Sequence, residues 1–344
     1  MPATANMMIM LGVIMGTITA MSSNHWLMAW IGLEMNMLAI LPIISKPKNL
    51  RTTEATTKYF LTQATASALM LLASTTNAWQ TGNWNITQLD NKYSATMMVI
   101  AMTMKMGAAP THFWLPEVMQ GSTLYTTLLM TTWQKIAPIT LIYMTSNHTP
   151  PKILMTIGIL SIMVGGWGGI NQTQLRKMMA FSSINNIGWT ITIMAISPNV
   201  AMLNIMIYIM MTTPTLLLLA TTSTKTLQNL STTWTISPTM TYTFAMLMLS
   251  TSGLPPFTGF APKLIMLNEL IMQKLTTMAT LTATLSLISL LFYLRTAYLI
   301  MMLTPPMTTP SLTKWRHQLH QPKLTTMLTP TALLSIMLIP SMPY

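Results

Sequence analysis

The chain has 344 residues, 51% hydrophobic and 6% charged, with a formal net charge of +12. Soluble domains carry about 25% charged residues, so this is an integral membrane protein and not a large soluble enzyme core. The basic residues are spread over short connections, which argues against nucleic-acid binding, and the absence of cysteine excludes disulfides, thiolate-bound iron–sulfur clusters and covalent haem attachment.

About 20 apolar residues span a bilayer, and on that ruler the chain reads as eleven crossings. They are Ala3–Met21, Trp26–Ile44 with Glu34 near its middle, and Tyr59–Trp79. A fourth begins near Ala95 and carries Lys105. Thr123–Met144 carries Lys135. Ile153–Ile170, Met178–Ile196 and Val200–Thr222 follow. The ninth runs from Thr239 to about Met272 and breaks between Gly253 and Lys263. Leu275–Leu303 and Leu324–Pro340 complete the count.

Alternate loops then fall on opposite sides. One side receives Lys46, Lys48, Arg51, Lys58, Arg176, Lys177, Lys225, Lys314, Arg316 and Lys323; the other receives Lys92, Lys152 and Lys274. The positive-inside bias puts the N-terminus on the matrix or cytoplasmic side and the C-terminus opposite. The 39 methionines fit a mitochondrial genome that reads an extra codon as Met. No transit peptide precedes the first apolar run, which suits a protein made inside the organelle.

Ala101–Pro138 is the stretch that departs most from a plain lipid-buried helix. A lysine at the centre of a membrane helix costs about 2.5–3.5 kcal/mol on insertion scales, and this stretch carries Lys105 and Lys135. Pro110 and Pro138 each remove an N–H and free the carbonyl four residues back, at Met106 and Gln134. Irregular backbone at membrane depth is tolerated only where it faces protein or a wet cavity. Glu34, Lys105, Lys135 and Lys263 are therefore read as one polar row near the midplane. Glu34 sits roughly 12 Å into its helix at 1.5 Å per residue, a depth that suits pairing with Lys105. His112, just past the Pro110 break, either extends this row towards the matrix or caps a freed carbonyl. Glu117 reads as a charge near a helix end, and Glu269 and Lys274 read as an interfacial pair. The plainer alternative for the buried charges is ion pairs that pack helices, or lysines that snorkel to the surface.

Other features carry less. His317 and His320 are a weak metal signal without a third ligand nearby and read as solvated. Gly165-Gly-Trp-Gly-Gly169 lies inside the sixth crossing with no strand before it. It is a close-packing stripe, not a dinucleotide fingerprint. The break near Lys105 has a counterpart from Gly253 to Lys263, about 150 residues on and five crossings later. Matched broken helices in two halves point to an ion path in inverted-repeat transporters.

Three segments carry a family resemblance. Met104-Lys105-Met-Gly-Ala-Ala-Pro110-Thr-His112-Phe-Trp-Leu-Pro116-Glu117, Gln174-Leu-Arg-Lys-Met-Met-Ala-Phe-Ser-Ser-Ile184 and Ser252-Gly-Leu-Pro-Pro-Phe-Thr-Gly-Phe-Ala-Pro-Lys263 resemble the signature of the antiporter-like subunits of respiratory complex I. The resemblance covers nearly the whole chain, with three N-terminal helices of the bacterial forms missing. It implies an all-α fold of two inverted five-helix bundles and a last helix: residues 3–148, 149–303 and 304–344. It also implies roles: Glu34 modulating the first lysine, Lys105 and Lys263 on the two broken helices, Lys135 connecting them, and His112 in a matrix-side connection. The implied activity is proton translocation across the mitochondrial inner membrane, driven by NADH-to-ubiquinone electron transfer in other subunits. The implied partners are those subunits and phospholipids, and NAD, FMN, iron–sulfur clusters and ubiquinone are expected in other chains. The competing readings are a stand-alone cation/proton antiporter and a non-conducting membrane scaffold.

Overall fold

The computed structural model describes residues 3–302 and 323–334; His317 and His320, with Lys314 and Arg316, lie outside them. Among the described residues the chain forms fifteen helices, and extended pairing is confined to isolated bridges. These are α1 (Ala3–Ser22), α2 (Trp26–Ile44), α3 (Leu50–Thr81), α4 (Lys92–Met106), α5 (Trp114–Gly121), α6 (Leu124–Thr131), α7 (Trp133–Met144) and α8 (Pro151–Ile170). Then follow α9 (Leu175–Met194), α10 (Pro198–Thr222), α11 (Leu227–Ile236), α12 (Pro238–Ser252), α13 (Phe260–Met272), α14 (Thr276–Met302) and α15 (Lys323–Leu334). Thr4–Ser22, Trp26–Ile44, Pro151–Ile170, Pro198–Thr222 and Thr276–Met302 are long and apolar enough to cross a membrane as single helices.

The described chain divides into two compact units. One runs through Ser161 and includes Ile191–Pro198; the other comprises Ile162–Thr190 and the chain from Asn199 onward. In the first unit α2 packs on α1 and α3, α3 packs on α4 and α5, and α7 packs on α4 and α1. In the second, α14 packs on α11, α12 and α13, and α12 also meets α15. Thr258 donates to the Ala332 carbonyl at 2.8 Å, which ties the turn after α12 to α15.

Each unit holds one small antiparallel clasp. His25 bridges Asn85, with Trp26 N donating to Trp84 O at 3.1 Å and Ile86 N to Asn24 O at 3.0 Å. Gln174 bridges Thr226, with Leu175 N donating to Lys225 O at 3.2 Å and Leu227 N to Thr173 O at 3.0 Å. In both cases the entry to one helix pairs with the segment that follows the next helix. His25 is thereby a structural residue: its ring stacks on Trp84 at 5.5 Å, and its Nδ1 accepts from Leu27 N at 3.2 Å.

Several boundaries differ from the sequence reading. The third crossing is longer than its apolar part, because Asn49 N donates to the Thr52 hydroxyl at 3.1 Å and starts the helix at Leu50. Thr123–Met144 is not one continuous helix, although Pro138 lies inside α7 as the span implies. The interruption falls at Thr132, where the Thr132 N–H and hydroxyl both bond the Leu128 carbonyl, at 3.0 and 2.7 Å. A threonine that bonds back to the preceding turn competes with the helix and bends it. Between the crossings that end at Thr222 and begin at Thr239 the chain forms the short helix α11, whose ten residues are too few for a span. The expected pair of Glu269 and Lys274 is not among the ion pairs of the described residues. Lys274 lies beyond the end of α13 with φ 59°, and the backbone turns it off the helix that carries Glu269. The glycine stripe is a packing device. A Cβ on Gly165 would lie 2.6 Å from the Asn185 backbone N, and one on Gly169 would lie 2.8 Å from the Phe292 ring.

Candidate functional site

The α4 break is built by Gly107. With φ 77° it takes the left-handed conformation that side chains resist, and the chain closes as a Schellman turn. Gly107 N donates to Met104 O at 3.1 Å and Ala108 N to Thr103 O at 3.0 Å. Side chains add to these bonds. Trp114 Nε1 also donates to Met104 O, at 3.2 Å, and Gln63 Nε2 donates to the otherwise open Lys105 carbonyl at 3.3 Å. The turn thus frees a whole set of carbonyls, of which Met106 is one. Its bonds hold the last turn of α4 so that Lys105, only 6% exposed, stays inside the bundle.

Lys105 and Lys135 line one cavity of about 20 Å³, together with Asn36, Tyr59, Gln63 and Gln134. Lys135 is 3% exposed. Glu34, half-buried on α2, lies within electrostatic reach of both Lys105 and Tyr59. Its Oε2 is sealed from solvent and makes no hydrogen bond to a described residue. A carboxylate beside a buried ammonium favours the charged form of each, while desolvation opposes both. His112 is buried; its Nδ1 stands 3.2 Å from the Pro110 carbonyl, and its ring lies 4.2 Å from Phe113.

The second unit repeats the device with a different ending. Gly253, at φ 84°, ends α12, and the chain re-enters helix at Phe260. Lys263, 9% exposed in the first turn of α13, reaches back so that its Nζ donates to the Ser252 carbonyl at 2.6 Å. The ammonium therefore sits on the negative end of the α12 dipole. Behind Ser252 is a cluster of buried hydroxyls. The buried Tyr293 phenol lies within reach of Ser182 and Thr251, and that of Tyr208 within reach of Ser183. Among the described residues no group of three His, Cys, Asp or Glu side chains could hold a metal.

Asn36, Tyr59, Gln63, Gln134 and the hydroxyl cluster were missed by a search for charge. An amide or phenol at the depth of an apolar span was the available signal.

At the surface, Lys58 Nζ lies 2.5 Å from both Glu54 Oε1 and Glu117 Oε2 and so ties α3 to α5. A 32-residue helix is about 48 Å long, so the first turns of α3 extend past a hydrocarbon core of about 30 Å. The hydrogen bond from Lys58 holds the Glu54 carboxyl below its ordinary 4.5. The bonds to Glu117 and then to Glu54 push Lys58 above its ordinary 10.5. The depressed carboxyl contributes above pH 4.5 and is lost as pH falls through its folded value. The raised lysine contributes below pH 10.5 and is lost as pH rises through its own. The clamp is therefore complete in the window between. Its groups are exposed, so salt screens it. Lys58→Met is expected to speed hydrogen exchange in α5, and added salt is expected to do the same to the unmodified protein. Unchanged α5 exchange in the variant would show that packing alone holds α5.

A helical membrane protein whose broken helices carry buried lysines to an internal cavity has the architecture of an ion-translocating antiporter. The family model described as NADH:quinone oxidoreductase/Mrp antiporter, TM, matches residues 23–289, and the chain belongs to that family. A curated relative from Varanus timorensis, named NADH-ubiquinone oxidoreductase chain 2, is 50% identical over 338 residues, covering 98% of this chain and 97% of that one. The protein of the same name from Xenopus laevis is 47% identical over 324 residues, covering 94% and 93%. Among solved structures, a chain of respiratory complex I from Thermus thermophilus with bound Aureothin matches at a TM-score of 0.86 and 24% identity. The match covers 98% of this chain and 79% of that one. A chain of the Mrp complex from Dietzia sp. DQ12-45-1b matches at 0.79 and 17%, covering 87% and 61%. At these identities the two solved structures speak for the fold.

Proposed function

We propose that this chain is a core membrane-arm subunit of respiratory complex I. It carries protons across the mitochondrial inner membrane while NADH-to-ubiquinone electron transfer proceeds in other subunits. The observation that carries the reading is the gathering of Lys105 and Lys135 on one small cavity, with Glu34 in electrostatic reach of Lys105. Near-full-length identity to proteins named NADH-ubiquinone oxidoreductase chain 2 supports it independently.

In this reading Glu34, Lys105, Lys135 and Lys263 are the relay, and His112 belongs to its matrix-side connection. Protons pass between ammonium and amine, so the chain itself needs no redox centre. NAD, FMN, iron–sulfur clusters and ubiquinone belong to partner subunits, and phospholipids surround the apolar faces. The chain crosses the membrane eleven times, with its N-terminus in the matrix and its C-terminus in the intermembrane space. Its repeats are residues 3–148 and 149–303, inverted relative to each other; the connection and last helix expected over 304–344 lie, apart from α15, outside the described residues. The two clasps and the two glycine-ended breaks support this repeat.

The Mrp likeness favours one rival, a cation/proton antiporter that works alone. The two part on purification. A complex I subunit migrates in native gels with NADH:ubiquinone oxidoreductase activity and shows no cation/proton exchange when reconstituted alone. Exchange by the isolated chain, without the oxidoreductase, would replace our reading with the antiporter.

A further inference from the structure

The cavity between Lys105 and Lys135 is bordered by an amide pair that no charge-based reading uses. Gln134 Nε2 donates to Asn36 Oδ1 at 2.8 Å, linking α7 to α2. This bond commits the nitrogen of the Gln134 amide and leaves Oε1 as an acceptor. The Gln134 backbone carbonyl is a second acceptor, because its helical partner would be the N–H of residue 138, which is proline. Gln134, Lys135 and Pro138 all line the cavity. Its volume of about 20 Å³ exceeds the 10–15 Å³ that one water needs, and a buried water needs two to four polar partners. Gln63 Nε2 is engaged by the Lys105 carbonyl, and Tyr59 adds a phenol on the same wall.

We infer that Gln134, held in one orientation by Asn36, is the positioning residue for a water that bridges Lys105 and Lys135. The inference rests on the relay reading of those two lysines. The step balances without a co-reactant. Lys105 ammonium gives a proton to the water oxygen, and the water gives a different proton to the Lys135 amine. Lys105 ends neutral, Lys135 ends charged, and the water is regenerated. The acceptors on Gln134 fix the direction in which the water points its second hydrogen.

The test uses the assembled complex in sealed membranes, measuring protons pumped per NADH oxidised, with high-resolution maps of the same preparations. Gln134→Met keeps the volume and removes the amide. Asn36→Gln combined with Gln134→Asn keeps an amide pair across the same gap. An ordered water within about 3.2 Å of Gln134 is expected in the unmodified complex. Gln134→Met is expected to lose it and to pump as poorly as Lys135→Met, and the exchanged pair is expected to restore both. A merely structural amide would not link pumping to the water in this way. Normal pumping by Gln134→Met beside impaired pumping by Lys135→Met overturns the inference and leaves the relay standing. Normal pumping by both overturns the relay as well. Should Gln134→Met fail to assemble, the unmodified map decides: a water there supports the inference, and its absence overturns it.

Discussion

Complexes carrying Lys105→Ala or Glu34→Gln are expected to assemble, to pump fewer protons per NADH, and to turn over slowly in coupled membranes. Lys105 stands on the cavity shared with Lys135, and Glu34 is the carboxylate whose charge reaches it. In the relay reading, alanine removes the proton carrier. Glutamine keeps the shape of Glu34 and removes only its charge, so the buried ammonium must bear its desolvation unaided. Each charge moved against the membrane potential costs about 2.3 kcal/mol per 100 mV. A relay step whose barrier rises by about 1.4 kcal/mol slows about tenfold, and coupled NADH oxidation should fall by about that factor in both variants. A normal proton-to-NADH ratio in both, with assembly intact, would mean that these charges only hold helices together.

Gly253→Ala should damage the second unit more than its small size suggests. A non-glycine residue in the left-handed region costs about 1–2 kcal/mol. At Gly253 the added methyl would also stand 2.9 Å from the Lys263 Nζ and 3.0 Å from its Cδ. Lys263 must then leave the Ser252 carbonyl, a charge-assisted bond worth about 1.5–3 kcal/mol. The total is about 2.5–5 kcal/mol, with loss of pumping. Gly82→Ala is the control, because Gly82 has φ 73° and nothing within 4 Å of its added Cβ. It should cost the backbone part alone and leave pumping normal. Equal thermal destabilisation by the two substitutions would remove Lys263 from the explanation.

The apolar runs announced a membrane bundle, and Lys105 and Lys263 beside Gly and Pro announced its two lysine-bearing breaks. The local rule for proline names the bond lost at Pro138 and is silent on where the Thr123–Met144 span yields. It yields at Thr132, through hydroxyl bonds that only the folded chain displays. The partners of the lysines were illegible for a related reason. Asn36 and Gln134 lie 98 positions apart, and neither carries charge. The ending at Lys263 was equally hidden, since an ammonium bonded to a main-chain carbonyl leaves no mark on residue type.

The shortness of the helices that end beside the lysines bears on how the protein enters its membrane. α4, which carries Lys105, and α12, whose last carbonyl accepts from Lys263, have 15 residues each, about 22 Å of helix, against a hydrocarbon core of about 30 Å. Neither reaches across alone, and their cut ends would leave carbonyls without water or partner in lipid. The five long apolar helices face no such obstacle and can partition as separate segments. The short, cut-ended segments depend instead on neighbours that supply the side chains closing their ends, as Gln63 on α3 does for Lys105. Their insertion is therefore expected to wait on neighbouring helices, whereas the five long apolar helices can enter one by one.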